Sequence, residues 1–284
     1  MTATTPQADG AIPAPRRALG SLAASLLATV TGNLFLVLGS VVFATLTVLF
    51  GWIPLPHGSR VFYPLVRVWS RLLLLASGVR LRSEQEAPLT PGTAYVFLSN
   101  HQSLFDIPVL LATLPLPARF MAKRELFRIP IFGWGLRVGG FIPVARGSQS
   151  ARDSFRAGSE KLQRGQSVLL FPEETRSEDG RLLPFKRGGF LLAQRAGRPV
   201  VPVGIGGTIA VRPRSSFRIH PGRVLVRYGA PIDPAAAGRR EGASLQALVR
   251  DRIAQLAGVE APPVSAAVPE PADSGGPGGN VSGP

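Results

Sequence analysis

Tyr95-Val96-Phe97-Leu98-Ser99-Asn100-His101-Gln102-Ser103-Leu104-Phe105-Asp106 carries the chain from an apolar run through a polar turn into a helix start. A short apolar run bounded by turn residues reads as a strand buried on both faces, the kind found in parallel sheets. Ser103 and Asp106 stand where an N-cap and the acid three residues after it belong. The same alternation continues on both sides. Apolar, β-rich runs occur at 118–122, 139–145, 167–171 and 199–205. Helical patterns occur at 104–114, 127–137, 148–164, 187–196 and 243–257, and 217–228 reads as extended segments around a turn at His220-Pro221-Gly222. Strand and helix in alternation predict an α/β domain over 79–258, with a mostly parallel sheet flanked by helices.

Polar groups collect directly after the predicted strands. Asn100-His101 follows 95–99, Lys123 follows 118–122, Arg146 follows 139–145, and Pro172-Glu173-Glu174-Thr175-Arg176 follows 167–171. Ligands of open α/β sheets bind outside the carboxyl ends of strands. Periodicity alone therefore places these groups on one crevice.

Composition narrows the chemistry. With no cysteine, a thiolate nucleophile, a disulfide framework and a Cys-based zinc site are excluded. Three histidines, His57, His101 and His220, leave few candidates for a base and make a multi-His metal cluster implausible. The net charge of +15, from 32 basic and 17 acidic residues, suits a nucleic acid, an anionic membrane or a phosphate-bearing substrate. No nucleic-acid motif accompanies the charge, and the basic residues are not interleaved with stacking aromatics.

The amino-terminal region differs in kind. Residues 1–17 read as a flexible leader, and from Ala18 to Ser59 there is no Asp, Glu, Lys or Arg. Leu34–Ile53 is almost continuously apolar and reaches the ~20 residues a helix needs to cross a bilayer core. A cleaved signal peptide has a shorter apolar region, of ~7–15 residues. The segment 18–78 thus reads as membrane-embedded and interfacial helices. Arginines on both flanks, Arg16 and Arg17 before and Arg60, Arg67 and Arg71 after, favour keeping both ends cytoplasmic. That arrangement asks for two helices in one leaflet, broken near Thr31-Gly32-Asn33; a single span is the alternative. Residues 60–77 fit either an interfacial helix or a core-facing helix of the following domain. Residues 259–284, rich in Pro, Gly, Ala and Ser, cannot bury a core and read as a disordered tail.

His101 and Asp106 meet only if the histidine lies in the turn before the helix, because five residues along a regular helix separate them by ~140°. Two readings stand at this point. Asp106 is either one half of a helix cap, or the carboxylate that fixes the tautomer of a histidine base. No serine or cysteine nucleophile motif lies alongside, so the second reading suits direct deprotonation of a substrate hydroxyl.

The chain resembles the glycerolipid acyltransferase family that includes bacterial 1-acylglycerol-3-phosphate acyltransferases. The family's first motif, histidine, four residues, aspartate, corresponds to His101 and Asp106. Its Lys-x2-Leu-x6-Gly-x12-Arg motif corresponds to Lys123, Leu126, Gly133 and Arg146. Its Phe-Pro-Glu-Gly-Thr-Arg motif corresponds to Phe171-Pro172-Glu173-Glu174-Thr175-Arg176, and its apolar run around a proline to Val200-Val201-Pro202-Val203. The likeness spans roughly residues 79–230. It implies acyl transfer from acyl-CoA or acyl carrier protein to the sn-2 hydroxyl of lysophosphatidic acid, at the cytoplasmic face of the inner membrane among membrane phospholipids. It also implies that no metal or bound cofactor takes part. His101 and Asp106 would be catalytic. Lys123, Arg146 and Arg176 would hold the acceptor's phosphate, Thr175 would belong to the same substrate-binding group, and Glu173 would orient Arg176 or meet a substrate hydroxyl. Another lyso-acceptor, such as a lysophospholipid or a lyso-ornithine lipid, is the alternative within the class. A basic membrane-bound scaffold or nucleic-acid binder is the alternative outside it. Glu174 stands where the family usually has glycine, which leaves the acceptor open. If that position needs a positive φ, the glutamate is strained there.

Overall fold

The computed structural model describes residues 19–51, 59–145, 148–237 and 244–259. The expected leader 1–17, the tail beyond Val259 and Arg146 lie outside the described residues.

The predicted buried runs become strands because their side chains can be covered on both faces. Val96–Ser99 (β2) and Ser167–Leu170 (β5) are buried at every residue. They lie in a seven-stranded sheet with Val79–Gln85 (β1), Ala118–Lys123 (β3), Ile142–Val144 (β4), Val200–Gly206 (β6) and Gly222–Tyr228 (β7). The order is β1-β7-β6-β2-β5-β3-β4, parallel throughout except where β7 runs antiparallel to β6. One apolar cluster packs on each face. The first gathers Phe97, Phe105, Leu110, Phe120 and Tyr228 with Trp69 and Leu73 from the amino-terminal helices, and the second gathers Val96, Leu98, Leu162, Phe190 and Ile253.

Helices Asp106–Thr113 (α3), Phe132–Val138 (α4), Ser148–Gln163 (α5), Gly188–Ala196 (α6), Thr208–Val211 (α7), Pro234–Ala237 (α8) and Leu245–Ala257 (α9) cover the sheet. Two details depart from the periodicity. The helix expected at 127–137 is broken into a 3-10 turn at Arg124–Arg128 and α4, because Pro130 lacks the amide a continuous helix needs and Ile131 takes φ 62°. Only Gly222–Tyr228 of the expected 217–228 pair is a strand. Residues 217–220 hydrogen-bond to a helix of the amino-terminal region instead.

That helix, Leu19–Gly51 (α1), corrects the expected break. It runs without interruption through Thr31-Gly32-Asn33. Thr31 Oγ1 and Asn33 Nδ2 donate to the carbonyls of Leu27 and Thr29 one turn back, so their polar groups are satisfied inside the helix. The same atoms reach outward to the carbonyls of Ala76 and Phe217. What read as a hinge is a docking point. Gly32 lets the helix approach closely: a Cβ there would lie 2.6 Å from Ser77 Oγ and 2.8 Å from Ile219 Cδ1.

Ser59–Ala76 (α2) packs one face on the domain's core, as the core-facing reading expects, and leaves the other open. Phe62, Trp69, Leu73 and Leu74 face the core, while Val68, Arg71, Leu72 and Leu75 are exposed. Arg67 donates to the Leu114 carbonyl at the end of α3 (2.5 Å), satisfying one of the carbonyls a helix end leaves free.

A side chain at Gly32 must push α1 off this seat. Gly32→Val is expected to cost about 1–3 kcal/mol, read as a lower Tm in detergent. Gly188→Ala, where an added Cβ would meet nothing within 4 Å, serves as the control and leaves Tm unchanged or raised.

Candidate active site

The turn after β2 is built around one carboxylate. Asp106 is fully buried, and its Oδ2 accepts from the backbone amides of Gln102 (2.7 Å) and Ser103 (2.8 Å) and contacts His101 Nδ1 at 2.8 Å. Ser103 Oγ in return accepts from the Phe105 amide at 3.2 Å. The capping and dyad readings are therefore one structure: the carboxylate that ties the turn also holds the imidazole. Helix α3 starts at Asp106 itself, after a turn at Leu104-Phe105, rather than at Ser103. The second oxygen, Asp106 Oδ1, is buried without a hydrogen-bond partner among the described residues.

The imidazole plane is set from a second side. Phe171 stacks on His101 with ring centroids 4.0 Å apart and planes 14° from parallel. With Nδ1 on a carboxylate acceptor, the proton of the neutral ring sits on Nδ1 and Nε2 carries the free lone pair. His101 keeps 15% of its side-chain surface open.

Glu173 lies on the neighbouring strand end, since β2 pairs with β5. It is only 4% exposed, and each of its oxygens is taken by a backbone amide: Oε1 by His101 (2.8 Å) and Oε2 by Leu183 (2.9 Å). Burial raises its pKa from 4.5 to about 7; the two amide bonds and Arg250 oppose the rise, and the Asp106 charge adds to it. The Ser177 amide donates to the His101 carbonyl at 2.8 Å, so the loop after β5 grips both backbone groups of His101. Asn100 clips the other side: it is fully buried and exchanges two hydrogen bonds with the backbone of Ile205 on β6 (2.8 and 2.9 Å).

The sheet order brings the remaining expected residues to one edge. The strand ends carrying His101, the Glu173–Arg176 loop and Lys123 lie side by side, on β2, β5 and β3, with β4 next. At ~4.8 Å per strand, Lys123 lies about 10 Å across from the His101 turn. Lys123 is exposed, and Thr175 and Arg176 are half-buried. Glu174 is exposed and has φ 59°, the left-handed conformation in which a glycine is unstrained. The strain foreseen for a glutamate here is present, and its side chain points to solvent.

Phe171 was quoted only as part of a motif, and its stacking on His101 had no signal in the sequence. Arg212 had none at all. It is 8% exposed, and its carbonyl accepts from Ser103 Oγ at 2.7 Å.

Comparison with known proteins places this geometry. A family model described as "Acyltransferase" matches residues 80–206. A 1-acyl-sn-glycerol-3-phosphate acyltransferase of Pseudomonas aeruginosa is 30% identical over 207 residues, which cover 69% of this chain and 79% of that protein. A chloroplastic 1-acyl-sn-glycerol-3-phosphate acyltransferase of Brassica napus is 42% identical over 142 residues, 49% of this chain and 41% of the relative. The crystal structure of the 1-acyl-sn-glycerophosphate acyltransferase of Thermotoga maritima superposes with a TM-score of 0.72 at 25% identity, covering 83% of this chain and 95% of the other. The chain belongs to the 1-acyl-sn-glycerol-3-phosphate acyltransferase family. It spans well under two thirds of the plant relatives it matches, 41% of their length in the Brassica napus case.

Two expectations follow from the site. Between pH 4.5 and about 7 the folded protein holds a proton on Glu173 that the unfolded chain releases, so stability falls as pH rises through this window and levels above it. Glu173→Gln removes that slope in pH-dependent unfolding. It also leaves one amide, of His101 or Leu183, facing an NH2 group, at a cost of about 1–3 kcal/mol. Glu174→Gly relieves a positive-φ side chain and is expected to keep or raise both Tm and turnover; a severe loss of turnover would give the glutamate a role of its own.

Proposed function

We propose that the protein transfers an acyl group from an acyl thioester, acyl-CoA or acyl carrier protein, to the sn-2 hydroxyl of 1-acylglycerol-3-phosphate. The observation that carries the reading is the His101–Asp106 contact, buried at the carboxylate while 15% of the His101 side chain stays open. His101 Nε2 takes the proton of the acceptor hydroxyl as its oxygen attacks the thioester carbonyl. The tetrahedral centre then collapses, the C–S bond breaks, and the imidazolium returns the proton to the leaving thiolate. Asp106 stabilises the transient cation without taking the proton. A thioester is already activated, so the chemistry asks for no metal or bound cofactor.

Lys123, Arg146, Thr175 and Arg176 are assigned to the acceptor's headgroup. Guanidinium groups suit it because they meet phosphate oxygens in pairs. Glu173 is assigned differently. With both oxygens on backbone amides, it is a positioning residue that acts through the His101 main chain.

The lipid substrate and α1 belong to one arrangement. Leu22–Phe50 is long and apolar enough to cross a membrane, with a mean hydropathy of 2.2 and only 17% of its most apolar window buried by the protein. The α/β domain nevertheless lies along it, from Ser25 beside His220 to Ala44 beside Gly135, over roughly 30 Å. A helix flanked by protein for that length suits a position within one leaflet, apolar face outward, better than a lone span. Leu26, Val30, Leu34, Val37 and Val41 form that exposed face. On this reading the active site is assigned to the cytoplasmic face of the inner membrane.

The test is turnover of the purified full chain with a panel of lyso-acceptors and both donor types. Phosphatidic acid is the expected product. Preferential acylation of a lysophospholipid or lyso-ornithine lipid would replace the acceptor, and no acyl transfer at all would end the reading. Asp106→Asn keeps an amide oxygen on the two backbone N–H groups and Nδ1 but removes the negative charge that stabilises the imidazolium, so kcat should fall about 10²- to 10⁴-fold. His101→Ala falls at least as far; wild-type-like turnover by it would remove the histidine from the mechanism.

A further inference from the structure

Arg212 follows α7, and its backbone carbonyl meets the turn that carries His101 from the side of the sheet opposite Lys123. Its backbone is locked there: its amide donates to Thr208 and its carbonyl accepts from Ser103 Oγ, in the turn that carries His101. Its guanidinium is held on two further sides. Nε donates to the Ser216 carbonyl at 3.2 Å, and the group lies 5.7 Å from the centre of the Phe217 ring. Nη1 is buried and has no hydrogen-bond partner among the described residues, although the side chain is charged and Arg212 is only 8% exposed.

Burying a cation without a counter-charge is costly, and structures avoid it unless something binds. Here the nearest charge makes matters worse. Burial and the neighbouring Arg176 both lower the pKa of Arg212, so the two guanidinium groups feel each other. Neither makes an ion pair among the described residues; Glu178 on the same loop is paired with Arg214 at 3.3 Å. Arg214 also donates to the Arg176 carbonyl at 2.9 Å, which ties the two loops together. Two guanidinium groups on loops tied to each other, one of them buried with a spare donor, suit an anion with several acceptor oxygens.

We propose that Arg212 and Arg176 together seat the phosphate of the acceptor lipid, and that Arg212 is a specificity-determining residue for a phosphate-bearing acceptor. This rests on the acyl-transfer reading above and adds a residue that lies outside the family motifs. The placement suits an amphiphile. Arg212 lies between the His101 turn and Phe217, which is 80% exposed and whose carbonyl accepts from Asn33 on α1. A phosphate bound there leaves the glycerol hydroxyl toward His101 and the acyl chain toward the membrane helix.

The experiment has two arms on the full-length protein in detergent or lipid nanodiscs. In the kinetic arm, Arg212→Gln should raise the KM for lysophosphatidic acid about 10- to 100-fold while leaving the KM of the acyl donor unchanged. With 1-acylglycerol, which lacks the phosphate, wild type and variant should differ little. A variant whose kcat and both KM values shift alike would show a merely structural role and overturn the proposal. In the binding arm, inorganic phosphate should raise the Tm of wild type and of His101→Ala, relative to chloride at equal ionic strength. The rise should be lost in Arg212→Gln; an equal rise in that variant overturns the proposal. If Arg212→Gln does not accumulate as folded protein, Arg212→Lys carries both arms, with a smaller KM increase in the same direction. Loss of the phosphate effect without acylation of lysophosphatidic acid by wild type would fail the function reading and leave the anion site standing.

Discussion

Asp106 Oδ2 gathers two backbone amides and the imidazole of His101 onto one oxygen, and most of the site's order descends from that point. The amides fold the chain back between β2 and α3, and the imidazole is carried to the strand's carboxyl end. A carboxylate can accept several hydrogen bonds, and in a buried site each is worth more than in water. Because the same oxygen does both, the turn cannot loosen without misaligning the base. The surrounding clips have the same logic. Asn100 pins β2 to β6, Glu173 takes the His101 amide, and Ser177 takes its carbonyl, so the histidine's main chain is held before any substrate arrives.

On the proposed reading, preorganisation of this kind would let a single histidine serve as the base without a protein nucleophile. The activated thioester would supply the leaving group, leaving the protein to align a hydroxyl, a lone pair and a phosphate. The parallel order β2-β5-β3 places the base, the Arg176 loop and Lys123 on adjacent strand ends. The switch of direction at β2, with β5 on one side and β6 on the other, opens the crevice where they meet. Arg212 enters it from the β6–β7 side. The headgroup would then be bracketed by cations from both sides of the switch point.

Helix α1 is built into the same scheme. Ser25, Thr29 and Asn33 bond the 217–220 segment, and that segment carries the stacking partner of Arg212. On the proposed reading, one loop would serve both anchoring and phosphate seating. A lipid acceptor would then keep its acyl chain at the level of the apolar helix while its hydroxyl reaches His101.

Local pattern was enough for much of this. The alternating runs placed most of the strands and helices on which the site depends, and the positions of His101, Lys123, Glu173 and Arg176 marked them as strand-end residues, because a buried parallel strand and its following turn leave a signature a few residues long. The strand Val79–Gln85 escaped, since its mixed, largely exposed residues pair at an edge with β7 and show no apolar run. A break at Thr31-Gly32-Asn33 is what the arginines on both flanks ask for; contact with Ser77, Ala76 and Phe217 makes those residues a docking seat in an unbroken α1 instead. Glu173, expected to orient Arg176 or meet a substrate hydroxyl, has its two oxygens on the backbone amides of His101 and Leu183. Sequence by itself determined most of the elements and the strand-end placement of the polar groups, since these rest on local periodicity and spacing, while the reaction class was implied by the likeness of its motifs to an acyltransferase family. Only the tertiary structure decided which charges meet: the Arg176–Arg212 pair joins residues far apart in the chain, and no local pattern records a contact made by folding.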